Sequence, residues 1–138
     1  MLFVLLSVLN AYAATTPSKT SNCDDVKNYA DVSLPELQNL VNQDKVFLID
    51  ANSAESFKEH YIGKENHIAK DHVVNFGAVE KNLATALPPQ KDTLIVAYCG
   101  GLKCVAWQKA AKAACKLHYT NIKHFAPGIT GWVPNNKS

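Results

Sequence analysis

The chain has 138 residues, enough for one domain with a hydrophobic core, and its net charge is only +2. This small charge gives no electrostatic reason to expect a nucleic acid or an anionic membrane surface as partner. Lysine supplies all 14 of the strongly basic side chains, so no mechanism within the chain can use a bidentate guanidinium clamp on an oxyanion.

The N-terminal residues predict export. Residues 2–9 are an apolar segment of signal-peptide length, and "AYA" after it supplies small residues for cleavage, although no basic residue precedes the segment. We therefore expect a signal peptide over 1–13, a flexible leader over 14–30, and a periplasmic or secreted protein. The apolar segment is too short to cross a bilayer, so no membrane span is expected.

The chain has four cysteines, which an oxidising compartment would allow to form disulfides. Three complete pairings exist, and the sequence does not choose among them. Cys115 is expected to pack in a helix, whereas Cys23 in the leader either pairs or stays free. Because no Cys or His cluster has zinc-site spacing, we expect neither a metal nor another cofactor.

The first half of the domain predicts two helices around a strand. In "DVSLPELQNLVNQ", Ser33 can cap a helix and Glu36 occupies the third helical position, with a proline in the first turn. "KVFLID" predicts a buried strand that ends at Asp50, and "SAESFKEHY" a short helix capped by Ser53. After a less regular stretch, "HVVNF" predicts a short strand, and "GAVEKNLATAL" a helix that two prolines end.

The second half predicts two further strands around a long helix. "DTLIVAY" is continuously apolar, as expected at the centre of a parallel sheet. The next helix has Trp107 and three alanines on one face and lysines on the other. "NIKHF" predicts a last strand, which the turn "APGITGW" follows. This alternation predicts an α/β domain with a mostly parallel sheet of about five strands and helices on both faces.

The loop "YCGGLKC" contains the candidate catalytic residue. Cys99 stands at the carboxyl end of a strand, where parallel sheets bind ligands, and just before a helix whose N-terminus lowers a thiol pKa. Gly100 and Gly101 tolerate positive φ, so that successive amides can point inward, and Lys103 adds a cation. The pattern predicts a loop wrapped around a nucleophilic Cys99.

Other interpretations of this region stay open. Cys99 could be an inert core cysteine, or a Cys99–Cys104 disulfide could close the loop. Asp50 is expected to bond nearby backbone rather than act as a base. Trp107, one turn into its helix, either fills the core or borders the loop.

From Asp31 to Trp132 the sequence resembles the single-domain rhodanese-like sulfurtransferases. The resemblance rests on the order of "VSLPELQNLV", "VFLIDANSAESF", "NHI" at His67, "LIVAYCGGLKC", "AAKAACKLHYTNI" and "APGITGW". It implies a three-layer rhodanese-like fold over 31–134, followed by a C-terminal tail over 135–138.

The resemblance also implies a persulfide relay. Cys99 would take sulfane sulfur from thiosulfate or another persulfide and pass it to a thiophilic acceptor, either a small thiol or a thiol-bearing protein. Loop amides would cradle the anionic sulfur. This cradle comprises Gly100, Gly101, Leu102, Lys103, Cys104 and Val105. The six-residue loop has the sulfurtransferase length, whereas related phosphatases use a loop one residue longer with an arginine.

Several positions depart from the family pattern. Cys104 and Asn52 stand where many members have arginine, and "NHIAKD" lacks the usual glycines and proline. His118 replaces a helix-ending glycine and would need the left-handed conformation. Two alternatives follow. Cys104 could resolve a Cys99 persulfide, giving a disulfide and sulfide, or the domain could be a binding module without turnover.

Overall fold

The computed structural model describes residues 22–65 and 70–132, which form an α/β domain around a parallel sheet. The strands are β1 (Phe47–Asp50), β2 (Val73–Asn75), β3 (Ile95–Tyr98) and β4 (Ile122–His124), in the order β2-β1-β3-β4. The helices are α1 (Leu34–Asn42), α2 (Ala54–Glu59), α3 (Phe76–Val79), α4 (Leu83–Ala86), α5 (Ala106–Lys116) and α6 (Gly128–Trp132). Short 3-10 turns lie at Val26–Asn28, Lys70–His72 and Glu80–Asn82.

The side chains of the two central strands, β1 and β3, pack against helices on both faces of the sheet. All residues of β1 and β3 are buried, and alternate side chains point to opposite faces. One face packs Ile49 and Ala97 with the apolar side of α5. The other packs Leu48 and Val96 with α1 and with Trp132 of α6. The predicted three-layer α/β fold is therefore confirmed.

The helix caps follow the predicted chemistry. Ser33 Oγ accepts a hydrogen bond from the Glu36 amide at 3.3 Å, and Ser53 Oγ accepts one from the Ser56 amide at 3.2 Å. After α5, His118 occupies the position of the usual helix-ending glycine. Its φ of 71° is the left-handed conformation expected at this position. Local sequence thus determines where these three helix ends lie.

Two elements differ from the expectation. The described residues form four strands rather than about five, and beside β4 Asp31 makes only a single parallel bridge to His124. The helix expected after β2 is divided into α3, a 3-10 turn and α4. The divisions fall at Val79, with a φ of −112° and a ψ of 1°, and at Asn82, with a φ of −126° and a ψ of 25°; both residues leave the α-helical region.

Where the structure describes the leader expected over 14–30, from residue 22 onward, the segment packs against the domain. Val26 is buried, the His124 amide bonds the Ala30 carbonyl at 3.0 Å, and Cys23 forms a disulfide with Cys115 of α5. Cys115 is therefore a covalent partner as well as a packing residue.

Three predicted features lie outside the described residues: the signal peptide, the segment around His67, and the C-terminal tail. Within the described part of the chain, no helix is long and apolar enough to cross a membrane.

Candidate active site

β3, one of the two central strands, ends directly before Cys99, so Cys99 lies at the carboxyl edge of the sheet. Cys99 directly follows β3, and only 2% of its surface is exposed. Its sulfur is bonded to that of Cys104, whose Cα atom lies 6.2 Å away, a usual distance for a disulfide. Of the open alternatives for this loop, the structure therefore has the closed disulfide, and Cys23–Cys115 completes the pairing.

The backbone of the loop differs from the predicted cradle. The Cys104 amide donates to the Gly101 carbonyl at 3.0 Å, so this N–H is already used within the loop. Gly100 and Gly101, which tolerate positive φ, do not adopt it in the disulfide form. The glycines with positive φ in the described ranges are Gly63 and Gly128.

The loop after β3 forms one wall of the site, and the start of α6 forms a second wall. Because β4 lies beside β3, the chain that leaves β4 arrives at the same edge as Cys99. The Ile129 amide donates to the Cys99 carbonyl at 2.9 Å, and the Thr130 amide and hydroxyl both donate to the Gly100 carbonyl, at 3.1 and 2.5 Å. Gly128, with a φ of 59°, makes this approach feasible, because a Cβ atom there would lie 2.3 Å from the Cys99 carbonyl oxygen.

The sequence "APGITGW" predicts only a closing turn, and the wall that it forms beside Cys99 is not expected from it. The available signal was its position after a strand adjacent in the sheet to the one that carries Cys99.

A shallow depression of about 550 Å³ lies between the loop and the second wall. Its lining residues are Gly100, Gly101, Leu102, Lys103, Cys104, Pro127, Thr130 and Gly131. Cys104 thus faces the depression, whereas Cys99 lies beneath it. Lys103 is exposed and makes no ion pair within the described residues, so its charge is available to an incoming anion.

A buried polar network supports the strand end below the loop. Asp50 and Tyr98 are fully buried and lie opposite each other on β1 and β3. The Tyr98 hydroxyl donates to Asp50 Oδ2 at 2.7 Å and accepts from the Ile62 amide at 3.0 Å. The Asn52 amide donates to Asp50 Oδ1 at 2.7 Å, which is the backbone bond predicted for Asp50.

Burial dominates the electrostatics of this pair. It raises the pKa of Asp50, although the hydrogen bonds from Tyr98 and Asn52 oppose the shift. Burial likewise raises the pKa of Tyr98, and the neighbouring Asp50 carboxylate adds to the effect. Tyr98 therefore acts as a neutral hydrogen-bond donor at ordinary pH, a role that sequence reasoning missed.

Two other candidates are placed by the structure. The Asn52 side chain borders the loop, since its Oδ1 lies 3.6 Å from where a Cβ of Gly100 would be. Trp107 is buried and stacks on the ring of His124 at a centroid distance of 3.6 Å. Trp107 therefore fills the core and does not line the depression.

The chain matches the family model of the rhodanese-like domain over residues 33–135. It belongs to the rhodanese-like domain family. A sequence comparison with curated proteins gives no match.

Solved structures share the fold of this rhodanese-like domain. The single-domain sulfurtransferase RDL2 of Saccharomyces cerevisiae has a TM-score of 0.57 and 19% identity, over 78% of this chain and 91% of its own. The human single-domain sulfurtransferase TSTD1 has a TM-score of 0.57 and 22% identity, over 77% of this chain and 96% of its own. An uncharacterised protein of Saccharomyces cerevisiae has a TM-score of 0.55 and 17% identity, over 79% and 94%. At these identities the likeness establishes the fold.

Proposed function

We propose that this rhodanese-like domain is a sulfurtransferase that moves sulfane sulfur through a persulfide on Cys99 to a thiophilic acceptor. The observation that carries the proposal is the position of Cys99 directly after the central strand, within a loop that closes over its sulfur. Membership of the rhodanese-like family and the likeness to two single-domain sulfurtransferases support the same class of reaction.

The reaction requires the reduced loop, because a sulfur in a disulfide is not a nucleophile. The Cys99 thiolate attacks the outer sulfur of the donor, the donor's sulfur–sulfur bond breaks, and the Cys99 persulfide anion forms. With thiosulfate the leaving group is sulfite. An acceptor thiolate then attacks the outer sulfur of the persulfide, takes it away as its own persulfide, and releases the Cys99 thiolate.

The charge of the site indicates which donors it uses best. The chain has no arginine, and Lys103 is the cation of the loop that faces incoming donors. A flexible ammonium provides one point charge where a guanidinium would provide two parallel hydrogen bonds. We therefore expect persulfide donors, which carry one negative charge on sulfur, to react faster than the dianion thiosulfate.

The observed disulfide favours one second candidate, a dithiol variant. In that reaction the Cys104 thiol attacks the inner sulfur of the Cys99 persulfide. A Cys99–Cys104 disulfide forms, and the sulfane sulfur leaves as hydrosulfide. No external oxidant is needed, because the sulfane sulfur takes up the two electrons that the thiols lose.

The partners and location follow from the same chemistry. A small sulfur donor and a thiol acceptor, free or on a protein, are the partners that we propose, with no nucleic acid. We also propose export to the periplasm or the extracellular space. Two disulfides in the described residues support export, since oxidising compartments preserve such bonds.

The test is mass spectrometry of the reduced protein after removal of reductant and incubation with a polysulfide or thiosulfate. The wild type should gain one sulfur, and Cys99→Ser should gain none. A larger persulfide yield in Cys104→Ser than in wild type would favour the dithiol variant, and an equal yield would favour simple transfer. If no donor leaves sulfur on either the reduced wild type or reduced Cys104→Ser, the domain is a binding module and the proposal is wrong.

A further inference from the structure

The two sulfurs of the loop disulfide differ in access. Cys99 is 2% exposed and packs in the core under α5, whereas Cys104 is partly exposed and lines the depression. Thiol–disulfide exchange needs an incoming thiolate to reach one sulfur in line with the bond that breaks. Attack from solvent can therefore reach Cys104 far more readily than Cys99.

The hydrogen bonds that hold the loop in place also differ between its Cys99 half and its Cys104 half. The carbonyls of Cys99 and Gly100 accept hydrogen bonds from Ile129 and Thr130, which fix this half of the loop against α6. The Cys104 half has a turn bond between the Cys104 amide and the Gly101 carbonyl, which lies wholly within the loop. Among the described residues, the hydrogen bonds to α6 therefore hold the Cys99 half of the loop and not the Cys104 half.

We propose that the Cys99–Cys104 disulfide is opened by a protein dithiol that attacks Cys104. The first thiolate of the partner bonds to Cys104 and releases Cys99 as a thiolate. The second thiol of the partner then attacks its own first sulfur, forms the partner's disulfide, and releases reduced Cys104. The two electrons come from the partner dithiol. The consequence for sulfur transfer rests on the proposed function, because it is the freed Cys99 that would accept sulfur.

The surface around Cys104 suits a protein rather than a small thiol. Leu102 is 82% exposed and Val105 is 66% exposed, and these are the exposed large hydrophobic side chains of the described residues. They lie two residues before and one residue after Cys104, with the exposed Lys103 between them. Leu102 also lines the depression that Cys104 faces, so a protein that brings a thiolate to Cys104 lies against it. Burying Leu102, and Val105 next to Cys104 in the chain, would stabilise the encounter. A small thiol gains nothing comparable.

A trapping experiment identifies the attacked sulfur. The oxidised full chain is mixed with thioredoxin whose second active-site cysteine is replaced by serine, so that the mixed disulfide cannot resolve. Free thiols are then blocked, and the cross-linked peptide is sequenced. The cross-link should map to Cys104, with Cys99 carrying the blocking group. A cross-link on Cys99, or no cross-link while dithiothreitol opens the loop, would overturn the proposal.

A kinetic experiment tests the contact surface. Leu102→Asn and Val105→Asn should each slow reduction by intact thioredoxin by about fivefold or more, the effect of losing roughly 1 kcal/mol at an interface. The rate with dithiothreitol should stay the same, because a small thiol does not need the apolar contacts and the neutral asparagine does not repel its thiolate. Gln90→Asn is the control, since it introduces the same residue at an exposed position in the loop before β3. Equal slowing by both reductants, or no slowing by thioredoxin, would contradict the docking surface.

Failure of this inference can be told apart from failure of the proposed function. Chain reduced with dithiothreitol reports persulfide formation without any protein partner. If that assay succeeds and trapping maps to Cys99, only the inference is wrong. If trapping maps to Cys104 and no persulfide forms on either wild type or Cys104→Ser, the sulfurtransferase proposal is wrong and the disulfide serves a different reaction.

Discussion

The carboxyl–phenol pair of Asp50 and Tyr98 places a titratable group in the core directly beneath the active loop. The pair joins β1 to β3, and through the Ile62 amide it also holds the segment that follows α2. Because burial raises the pKa of Asp50, the carboxyl group contributes full stability at low pH. Part of that stability is lost as the pH rises through its folded-state pKa.

Tyr98→Phe should therefore destabilise the fold, and by more at pH 7 than at pH 4. The variant leaves the Ile62 amide without its acceptor and removes a donor that stabilises the Asp50 carboxylate. The pKa of Asp50 then rises further, so ionisation costs more in the folded state. We expect a loss of about 3 kcal/mol at pH 7, measured by urea unfolding of the oxidised protein.

Tyr119→Phe is the matched control for this pH dependence. Tyr119 is also buried, but its hydroxyl donates to the neutral backbone carbonyl of Pro88. Its loss should destabilise the protein by the same amount at both pH values. If Tyr98→Phe shows no difference between pH 4 and pH 7, Asp50 does not ionise against this hydroxyl.

At the scale of elements, α6 is the wall that keeps Cys99 in place. Gly128→Ala should destabilise the oxidised protein by more than about 2 kcal/mol, because alanine is strained at a φ of 59° and its Cβ would lie 2.3 Å from the Cys99 carbonyl oxygen. Gly101→Ala is the control, since a Cβ there meets its nearest neighbour at 3.8 Å; it should change stability by less than about 1 kcal/mol. Denaturant unfolding measures both, and equal stability of the two variants would contradict the close approach of α6.

The elements that sequence could predict are those whose signals are local. Ser33 and Ser53 cap helices through contacts three residues away, and the apolar run of β3 needs only burial on both faces. The single bridge between Asp31 and His124 joins residues far apart in the chain, so no local pattern encodes it.

The residues of the candidate site likewise divide into those that local sequence predicts and those that it does not. The position of Cys99 could be predicted because it depends only on one apolar strand and on the loop that directly follows it. The pairing of Asp50 with Tyr98 and the approach of Thr130 to Gly100 require the register of neighbouring strands. That register joins residues far apart in the chain, so it becomes visible only in the folded molecule. The choice between three disulfide pairings depends on the same long-range geometry.

Over the whole molecule, the two disulfides join very different lengths of chain. Cys23–Cys115 spans 92 residues and attaches the segment before α1 to the C-terminal end of α5. Cys99–Cys104 spans five residues within one loop. A cross-link stabilises largely by restricting the unfolded chain, and this restriction grows with the length of chain that it closes. The first bond should therefore serve stability, and the second is the one that can open without unfolding the domain.

Removing each disulfide separately should reveal this division. The double variant Cys23→Ser/Cys115→Ser should lower the free energy of unfolding by about 4 kcal/mol, and Cys99→Ser/Cys104→Ser by about 2 kcal/mol. Urea unfolding of the oxidised proteins measures both values. Repeating the measurement in dithiothreitol is the control, because the wild type then also lacks both cross-links and the difference between the variants should shrink to the effect of the substitutions themselves. A larger loss for the loop pair than for the long-range pair would mean that the loop disulfide holds the fold together, and the domain could then not stay folded with a free Cys99 thiolate.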